Sequence, residues 1–320
     1  MNYIPFEKSM LELETQIHKL QKIASTEKID LEGEMRNLQD KSNELRSKIF
    51  SGISDYEVVQ LSRHPRRPNT LEYINFMCES FEELHGDRGF YDDPAMVGGI
   101  ASFRGFSVVV VGQQKGRGTK ENIRRNFGMP RPEGYRKALR LFEMGERFNM
   151  PIVCLIDTPG AYPGVGAEQR GQSQAIAHNI MRMSSLKVPV TCAVIGEGGS
   201  GGALAIAVGN RVHMMEYAVY SVISPEGCAS ILSKDSRKAA DMAQALRLTA
   251  PCALSHGIID SVIKEPSGGA HRCPAEAAEN LSKRLYQDLC DLNSCSADEL
   301  RKQRHDRFLA LGCFDENMTV

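Results

Sequence analysis

The sequence predicts an α/β fold: a largely parallel sheet with helices outside it and a helical appendage at the N-terminus. Three observations predict it. Short β-branched runs alternate with stretches of helical periodicity from about residue 97 onward. Glycine-rich loops follow several of those runs, as ligand-binding loops do at the strand ends of parallel sheets. Residues 6–50, by contrast, hold almost no glycine or proline and are rich in Glu, Lys, Leu and Gln.

In that N-terminal stretch apolar residues fall at Leu13, Ile17 and Leu20, then at Leu31, Met35, Leu38, Leu45 and Ile49. Steps of three, four and seven mark a narrow helical stripe. The polar stretch 25–30 interrupts it, which predicts a helical hairpin within a region 1–55. Such a stripe either covers the main domain or meets another subunit. The segment Ser62-Arg63-His64-Pro65-Arg66-Arg67-Pro68 is basic and proline-broken and reads as a linker. The main domain is assigned to residues 56–320. Within it, residues 97–103 and 106–113 read as two strands joined by a short turn at Arg104-Gly105. Residues 133–148 carry helical periodicity, Pro151 leads into a buried-type strand over 152–157, and 167–186 reads as a second long helix. A short strand over 188–195 ends at a cluster of glycines, and 219–224 forms one more. The repeat of strand, glycine-containing loop and helix has no fixed period.

Composition narrows the function. A length of 320 residues suits one sizeable domain with a smaller appendage. A formal net charge of −1 gives no global attraction to nucleic acid or membrane, so any anion-binding surface is local. None of the nine cysteines stands in a C-x-x-C pair, Cys228, Cys252 and Cys273 included, which spells neither a zinc ribbon nor a redox motif. The odd count fits free thiols in a reducing compartment. The opening MNYIPFEKSM lacks the pattern of a signal peptide, and no apolar run approaches the ~20 residues that span a bilayer. A cytoplasmic protein is expected.

The most informative stretch is Gly196-Glu197-Gly198-Gly199-Ser200-Gly201-Gly202-Ala203-Leu204-Ala205. It follows a strand and opens a short apolar helix. Free N–H groups at a helix start, with the positive end of the dipole behind them, attract negative charge. Physically it is an anion site, and several readings of the anion compete. Gly196-x-Gly198-x-x-Gly201 satisfies a dinucleotide fingerprint, with Glu216 about twenty residues on. Gly209-Asn210 would, however, stop the following helix after roughly two turns. A Walker-type phosphate loop fails, because Gly202-Ala203 stand where a lysine is needed. Gly198-Gly199-Ser200-Gly201-Gly202 also spells G-x-S-x-G, with Asp241 or Asp260 and His256 or His271 downstream, so a serine hydrolase using Ser200 is an alternative. A tight packing turn without chemistry is the remaining reading.

A second loop, from Asp157-Thr158-Pro159-Gly160-Ala161-Tyr162-Pro163-Gly164 through Gly166 and Arg170 to Gln172, follows the preceding strand in the same way. A third, Ile223-Ser224-Pro225-Glu226-Gly227, follows another. Three loops at successive strand ends converge on one face of the sheet, where ligands bind.

Taken in order, these motifs resemble the α subunit of the carboxyltransferase of bacterial acetyl-CoA carboxylase. The resemblance runs nearly end to end. It includes Arg124-Arg125-Asn126-Phe127-Gly128-Met129-Pro130, Glu133-Gly134-Tyr135-Arg136-Lys137-Ala138-Leu139-Arg140, both glycine loops and Gly268-Gly269-Ala270-His271-Arg272. It implies a crotonase-like superhelix of ββα units, with Ser224-Pro225-Glu226-Gly227 at the corresponding turn. It implies carboxyl transfer from biotin, tethered to a separate carrier protein, onto acetyl-CoA to give malonyl-CoA, the committed step of fatty acid synthesis. Partners implied are a carboxyltransferase β subunit in an α2β2 assembly, the biotin carboxyl carrier protein and biotin carboxylase, which consumes the ATP. No metal is implied in this chain, since the family's zinc ribbon resides on the β subunit.

That reaction generates two transient anions, one on the biotin ureido oxygen and one on the thioester enolate. Each needs preorganised donors, and losing one such donor costs on the order of 3 kcal/mol. One oxyanion hole is assigned to the backbone N–H groups of Gly201, Gly202 and Ala203, toward the biotin side, and the β subunit provides the other. Gly160, Tyr162, Gly164, Gly166, Gly198 and Gly199 are expected to line the substrate. Arg170 resembles the family's arginine that meets the transferred carboxylate, and its fork of donors suits that task; the plain alternative is a surface pair with Glu168. The run Lys115, Arg117, Lys120, Arg124, Arg125 either approaches coenzyme A phosphates, the carrier or the partner subunit, or is a solvated loop. Ser200 reads as a small turn residue and His271 as structural.

Overall fold

The computed structural model describes residues 4–27 and 32–312. Among them, eight strands form one mixed sheet: β1 (Ser80–Glu83), β2 (Met96–Phe103), β3 (Phe106–Gln113), β4 (Ile152–Thr158), β5 (Val190–Gly199), β6 (Arg211–Met215), β7 (Val219–Ser221) and β8 (Ser261–Ile263). The order across the sheet is β1-β2-β3-β4-β5-β6-β8. β1, β2 and β3 pair antiparallel, and every pairing from β3 to β8 is parallel. The predicted turn at Arg104-Gly105 joins β2 to β3, with both residues at positive φ as two-residue hairpin loops require. All seven residues of β4 are buried, the continuous apolar run expected of a parallel strand covered on both faces.

β5 decides where the site lies. Thr191–Val194 pair with β6, whereas Glu197–Gly199 pair with β7, so the end of β5 leaves the main ladder carrying the glycine cluster. The register between β4 and β5 shifts at Asp157, between Ile156 and Thr158. The helix Pro132–Arg147 packs on β2 and β3 and against the helix Gln172–Ser185, and the helix Pro274–Leu292 packs on β5 and β8. Phe142, Leu141, Ile152, Leu155, Val194, Leu285 and Leu289 lie fully buried in the resulting core.

Several expectations need correction. The single helix read over 167–186 is two, Val165–Gln169 and Gln172–Ser185, broken where Gly171 takes a left-handed φ of 80° that apolar spacing does not register. The strand at 219 ends at Ser221, because Ser224 leaves it to cap the helix Pro225–Leu232, its hydroxyl accepting from Gly227 N–H at 3.1 Å with Pro225 at the first helical position. Residues 62–68 are no free linker. The Arg67 guanidinium is buried on the Glu265 carboxylate (2.5 and 3.0 Å) and the Ile195 carbonyl, which seats the segment in the body. β1, β6 and β8 were not anticipated; three to five residues are too few to show a period.

At the N-terminus, helices Lys8–Glu27 and Glu32–Ser51 pack together, tied by Arg46 to Glu14 at 3.0 Å. Ile17 is buried and Leu13, Leu20, Met35, Leu38, Leu45 and Ile49 half-buried, as the stripe predicts. Residues 28–31, which hold part of the expected interruption and Leu31, lie outside the described residues. No helix among the described residues is long and apolar enough to cross a membrane.

Candidate active site

The two glycine loops meet in near backbone contact. A Cβ on Gly199 would sit 2.1 Å from the Pro159 carbonyl oxygen, and one on Gly202 would sit 2.5 Å from the Ala161 nitrogen. Only glycine permits that approach. The helix that follows runs Ser200–Leu204 and stops, far short of a crossover helix, which removes the dinucleotide reading. No side chain caps its N-terminus, and the amides of Gly201, Gly202 and Ala203 find no acceptor outside their own helix among the described residues. A 320 Å³ cavity opens beside them, lined by Ser200, Gly201, Leu204, Tyr220, Ser221, Val222 and Ile258. Gly201 is half-buried at its wall, while Gly202 and Ala203 are buried beneath it. The arrangement offers unspent N–H donors and a helix dipole to an anion in a largely apolar recess.

Charge is concentrated under the loops. Lys115 Nζ lies 2.7 Å from both Asp157, at the root of the first loop, and Glu197, at the root of the second. The Glu197 amide donates to Asp157 Oδ1 at 3.0 Å. Arg63 reaches Glu197 at 2.6 Å and Glu226, in the third loop, at 2.8 Å. One network thus pins all three loops. Burial pushes the Glu197 carboxyl up, but Lys115 and Arg63 pull it further down, and it stays ionised. Burial likewise works against the Lys115 ammonium, and Asp157 and Glu197 outweigh it and hold its pKa above the ordinary value. A second cavity, of 380 Å³, adjoins this network and is lined in part by Arg63, Lys115, Asn69, Thr119, Asp157 and Glu197.

The other expected residues fall as follows. Gly160 is in the first loop where it touches Gly202; Gly198 packs under the Tyr220 ring, and Gly164 under the Tyr162 ring. Tyr162 lies beneath the Arg131 guanidinium, 4.9 Å from it, and does not line the cavity beside Gly201. Arg170 is absent from that lining too, and Gly166 stands beside it. Arg170 pairs with Glu133 at 2.6 Å rather than with Glu168 and lies over the Phe90 ring. Of the basic run, Lys115 turns inward as described, Arg117 pairs with Glu72, and Arg125 is buried on Glu121 and the Pro94 carbonyl. Lys120 and Arg124 stay exposed. The run is therefore no single solvated loop, because carboxylates lie within reach of three of its five cations.

The hydrolase reading lacks a base. His256 bonds the Cys252 carbonyl, His271 bonds Glu7, and Asp260 is spent on Arg307 and the Val212 amide. Ser200, at φ 49°, is a strained turn residue. His271 is buried, 3.1 Å from Glu7 and stacked on His64 at 4.0 Å. Glu7, His64 and His271 offer ligand atoms within 4.8 Å of one another. His64 Nδ1, however, accepts the Arg66 N–H, so Nε2 carries the ring hydrogen and has no lone pair for a metal. Arg272, 3.6 Å from Glu7, adds a competing cation.

Gln113 and the pairing of Lys115 with Asp157 and Glu197 were missed; Lys115 was read only as a member of the basic run. Their signal was the abrupt change from four valines to Gly112-Gln113-Gln114-Lys115 at a strand end.

The sequence matches the family model described as acetyl co-enzyme A carboxylase carboxyltransferase-like over residues 3–312. It is 55% identical over 311 residues to the acetyl-coenzyme A carboxylase carboxyl transferase subunit alpha of Halorhodospira halophila, covering 97% of this chain and 98% of that one. The subunit alpha of Vibrio parahaemolyticus is 56% identical over 315 residues, covering 98% and 99%. Among solved structures, a Pseudomonas malonate decarboxylase hetero-tetramer in complex with coenzyme A superposes with a TM-score of 0.60 at 14% identity, over 77% of this chain and 95% of that one. Transcarboxylase 12S, with methylmalonyl-coenzyme A bound, gives 0.53 at 24% identity, over 65% and 40%. The crotonase-like fold is the architecture they share.

Proposed function

The chain belongs to the family of acetyl-CoA carboxylase carboxyltransferase α subunits, and from that premise we propose how its own residues serve the transfer. The reaction moves a carboxyl group onto acetyl-CoA to give malonyl-CoA, the first committed step of fatty acid biosynthesis. Biotin on the carrier protein, when it docks, supplies the carboxyl group. This chain supplies no side-chain nucleophile. The amides of Gly201, Gly202 and Ala203 hold negative charge as it develops on a reacting oxygen, and the dipole of the helix Ser200–Leu204 adds to them. The observation that carries this reading is the cluster of amides, without acceptors outside their own helix, in a glycine loop that touches its neighbour on one side and opens on a recess at Gly201. The recess falls within the usual size range of a small-molecule pocket and has largely apolar walls.

Gly160 and Gly199 set the spacing of the loops, Gly198 packs at the root of the second, and Gly164, Gly166 and Tyr162 shape the outer part of the first. Arg170, held ready by Glu133, meets the carboxylate that is transferred. The β subunit completes the site as an α2β2 assembly, with the carrier and biotin carboxylase as further partners and ATP consumed by the latter. We place the protein in the cytoplasm, a reading supported by eight described cysteines that are all free thiols, and assign no metal to this chain.

Alone, the chain should form no malonyl-CoA from carboxybiotin and acetyl-CoA, and adding the β subunit should restore turnover. In that reconstituted enzyme, an ester in place of the Ala203 amide, introduced as lactic acid at position 203, should lower kcat by about 10²-fold. Native turnover by the ester would remove the hole from this site.

A further inference from the structure

We propose that Gln113 is a positioning residue for carboxyl transfer, aiming the Ala203 N–H by holding the Gly202 carbonyl at the other edge of the same peptide plane. The proposal rests on the oxyanion-hole reading and adds the group that sets its geometry.

Gln113 is the last residue of β3, and it is fully buried. Its Nε2 donates to the Gly202 carbonyl at 3.1 Å, and its Oε1 accepts the Asp157 N–H at 3.1 Å. A single carboxamide therefore joins the backbone of the loop after β4 to that of the loop after β5. Its own backbone is anchored, because Thr70 Oγ1 donates to the Gln113 carbonyl at 2.5 Å. The Tyr135 hydroxyl approaches the same Gly202 oxygen at 3.5 Å and adds little at that length.

The consequence follows from peptide geometry. The unit linking Gly202 to Ala203 is planar and trans, so its C=O and N–H point in opposite directions. Drawing the carbonyl toward Gln113 drives the Ala203 N–H the other way, and Gly201 and Gly202 on its N-terminal side bring no side chain to fix the plane. A neutral carboxamide is suited to the task because it presents a donor on one edge and an acceptor on the other. An ionised carboxylate there would accept on both edges and repel the Gly202 oxygen, whereas a protonated carboxyl would again donate to it.

The ionisable groups packed around this carboxamide are Asp157, with Lys115 and Glu197 closing on it; Arg67, near enough to feel the Asp157 charge; and Tyr135, next to Asp93. Mutual pairing holds Glu197 low and Lys115 high, and burial raises Tyr135, so none of these three titrates near neutrality. Asp93, raised by burial to about 6, titrates in the native enzyme too, so the native and Gln113→Met profiles give its effect.

The test uses the enzyme reconstituted with the β subunit, carrying Gln113→Met or Gln113→Glu, and follows kcat and KM from about pH 6 to about pH 8.5, the range into which full burial beside Asp157 lifts an introduced carboxyl from its ordinary value. Gln113→Met should lower kcat by about 10²-fold with KM for acetyl-CoA little changed, the cost of misplacing a donor. Gln113→Glu should show a similar loss at the alkaline end and recover relative to native enzyme as pH falls. Equal losses for both variants at every pH would reduce Gln113 to packing, and native kcat in Gln113→Met would overturn its role outright. Should the Met variant fail to fold, the Glu profile decides alone, since each of its points is compared with the same protein at another pH. The Ala203 ester separates the two claims: an active ester overturns the hole itself, whereas an impaired ester with a flat Gln113→Glu profile overturns only the positioning role.

Discussion

Two buried charge clusters hold this molecule together, and they are built on opposite principles. Under the glycine loops, Lys115 and Arg63 bridge Asp157, Glu197 and Glu226, every charge facing an opposite one. At the N-terminal helices, the Glu7 carboxylate faces the Nε2 edges of two stacked imidazoles, His271 at 3.1 Å and His64 at 3.7 Å, with Arg272 at 3.6 Å. The first cluster keeps its charges because they pair. The second keeps His64 neutral: burial first, then the neighbouring His271, depresses its pKa to about 4. Glu7 itself is pushed up by burial and pulled further down by the hydrogen bond from His271, ending below its ordinary value. A fixed charge network suits loops that must not move. The histidine cluster instead ties appended helices to the body through a group that titrates.

The largest effect should come from breaking the first cluster. Lys115→Met leaves buried Asp157 without its ion-pair partner, facing a Glu197 that keeps only Arg63, a change that costs about 3–5 kcal/mol in comparable sites. Chemical denaturation should register that loss, and malonyl-CoA formation should fall with it. Adding Glu197→Gln to Lys115→Met should recover part of the stability, because only one carboxylate then remains. If the double variant is no more stable than the single one, the two charges are not coupled as described.

Acid should break the second cluster at a pH that leaves the first intact. A base whose folded pKa lies below its unfolded value binds more protons when unfolded, so stability falls as pH drops from the unfolded pKa toward the folded one. For His64 that window runs from its ordinary 6.5 to about 4, and the shift corresponds to on the order of 3 kcal/mol. Glu197 and Glu7, both held low, retain their contributions above the ordinary carboxylate pKa and lose them only as pH falls through their lower folded values. Lys115, held high, keeps its contribution until pH rises through its folded pKa. Amide protection in Lys8–Glu27, taken relative to the intrinsic exchange rate at each pH, should therefore fall between about pH 6 and pH 4, before protection in β4 and β5 does. His64→Phe should flatten that dependence. Simultaneous loss of both regions would show that they unfold as one unit.

The two clusters also mark where sequence reading succeeds and where it stops. The glycine loops were legible because their physics is local: glycine, a strand end and a helix start stand within ten residues at 196–205. The hairpin of β2 and β3 and the buried strand β4 were legible for the same reason. Lys115 and Glu197 are 82 residues apart and Arg63 and Glu226 are 163 apart, so no window contains either pair. Gln113 was hidden in another way. Both its bonds go to backbone atoms, which every residue type possesses, so no partner identity betrays them. The break at Gly171 depends on one left-handed residue inside an otherwise helical pattern. The family resemblance supplied the reaction, whereas composition alone reached only a charge-balanced α/β protein.

Beyond both clusters lies a third, outer set of charges, and it should give the smallest effect. Lys120 and Arg124 sit on the short helix Gly118–Arg124, exposed beside the 380 Å³ cavity that Thr119 and Asn122 help to line. Truncating both to alanine removes no buried contact, so the melting temperature should move little, with stability within about 0.5 kcal/mol of native. Exposed cations act through long-range attraction, which salt screens over a Debye length of about 8 Å at physiological ionic strength. The double variant should therefore raise KM for acetyl-CoA or for the carboxylated carrier at low salt, and the difference should vanish as salt is added. Acetyl-CoA and free carboxybiotin, assayed separately from the intact carrier, tell which anionic partner these cations steer. An unchanged KM for both at low salt would assign Lys120 and Arg124 to solvent, leaving the inward-facing Lys115 as the functional member of that basic run.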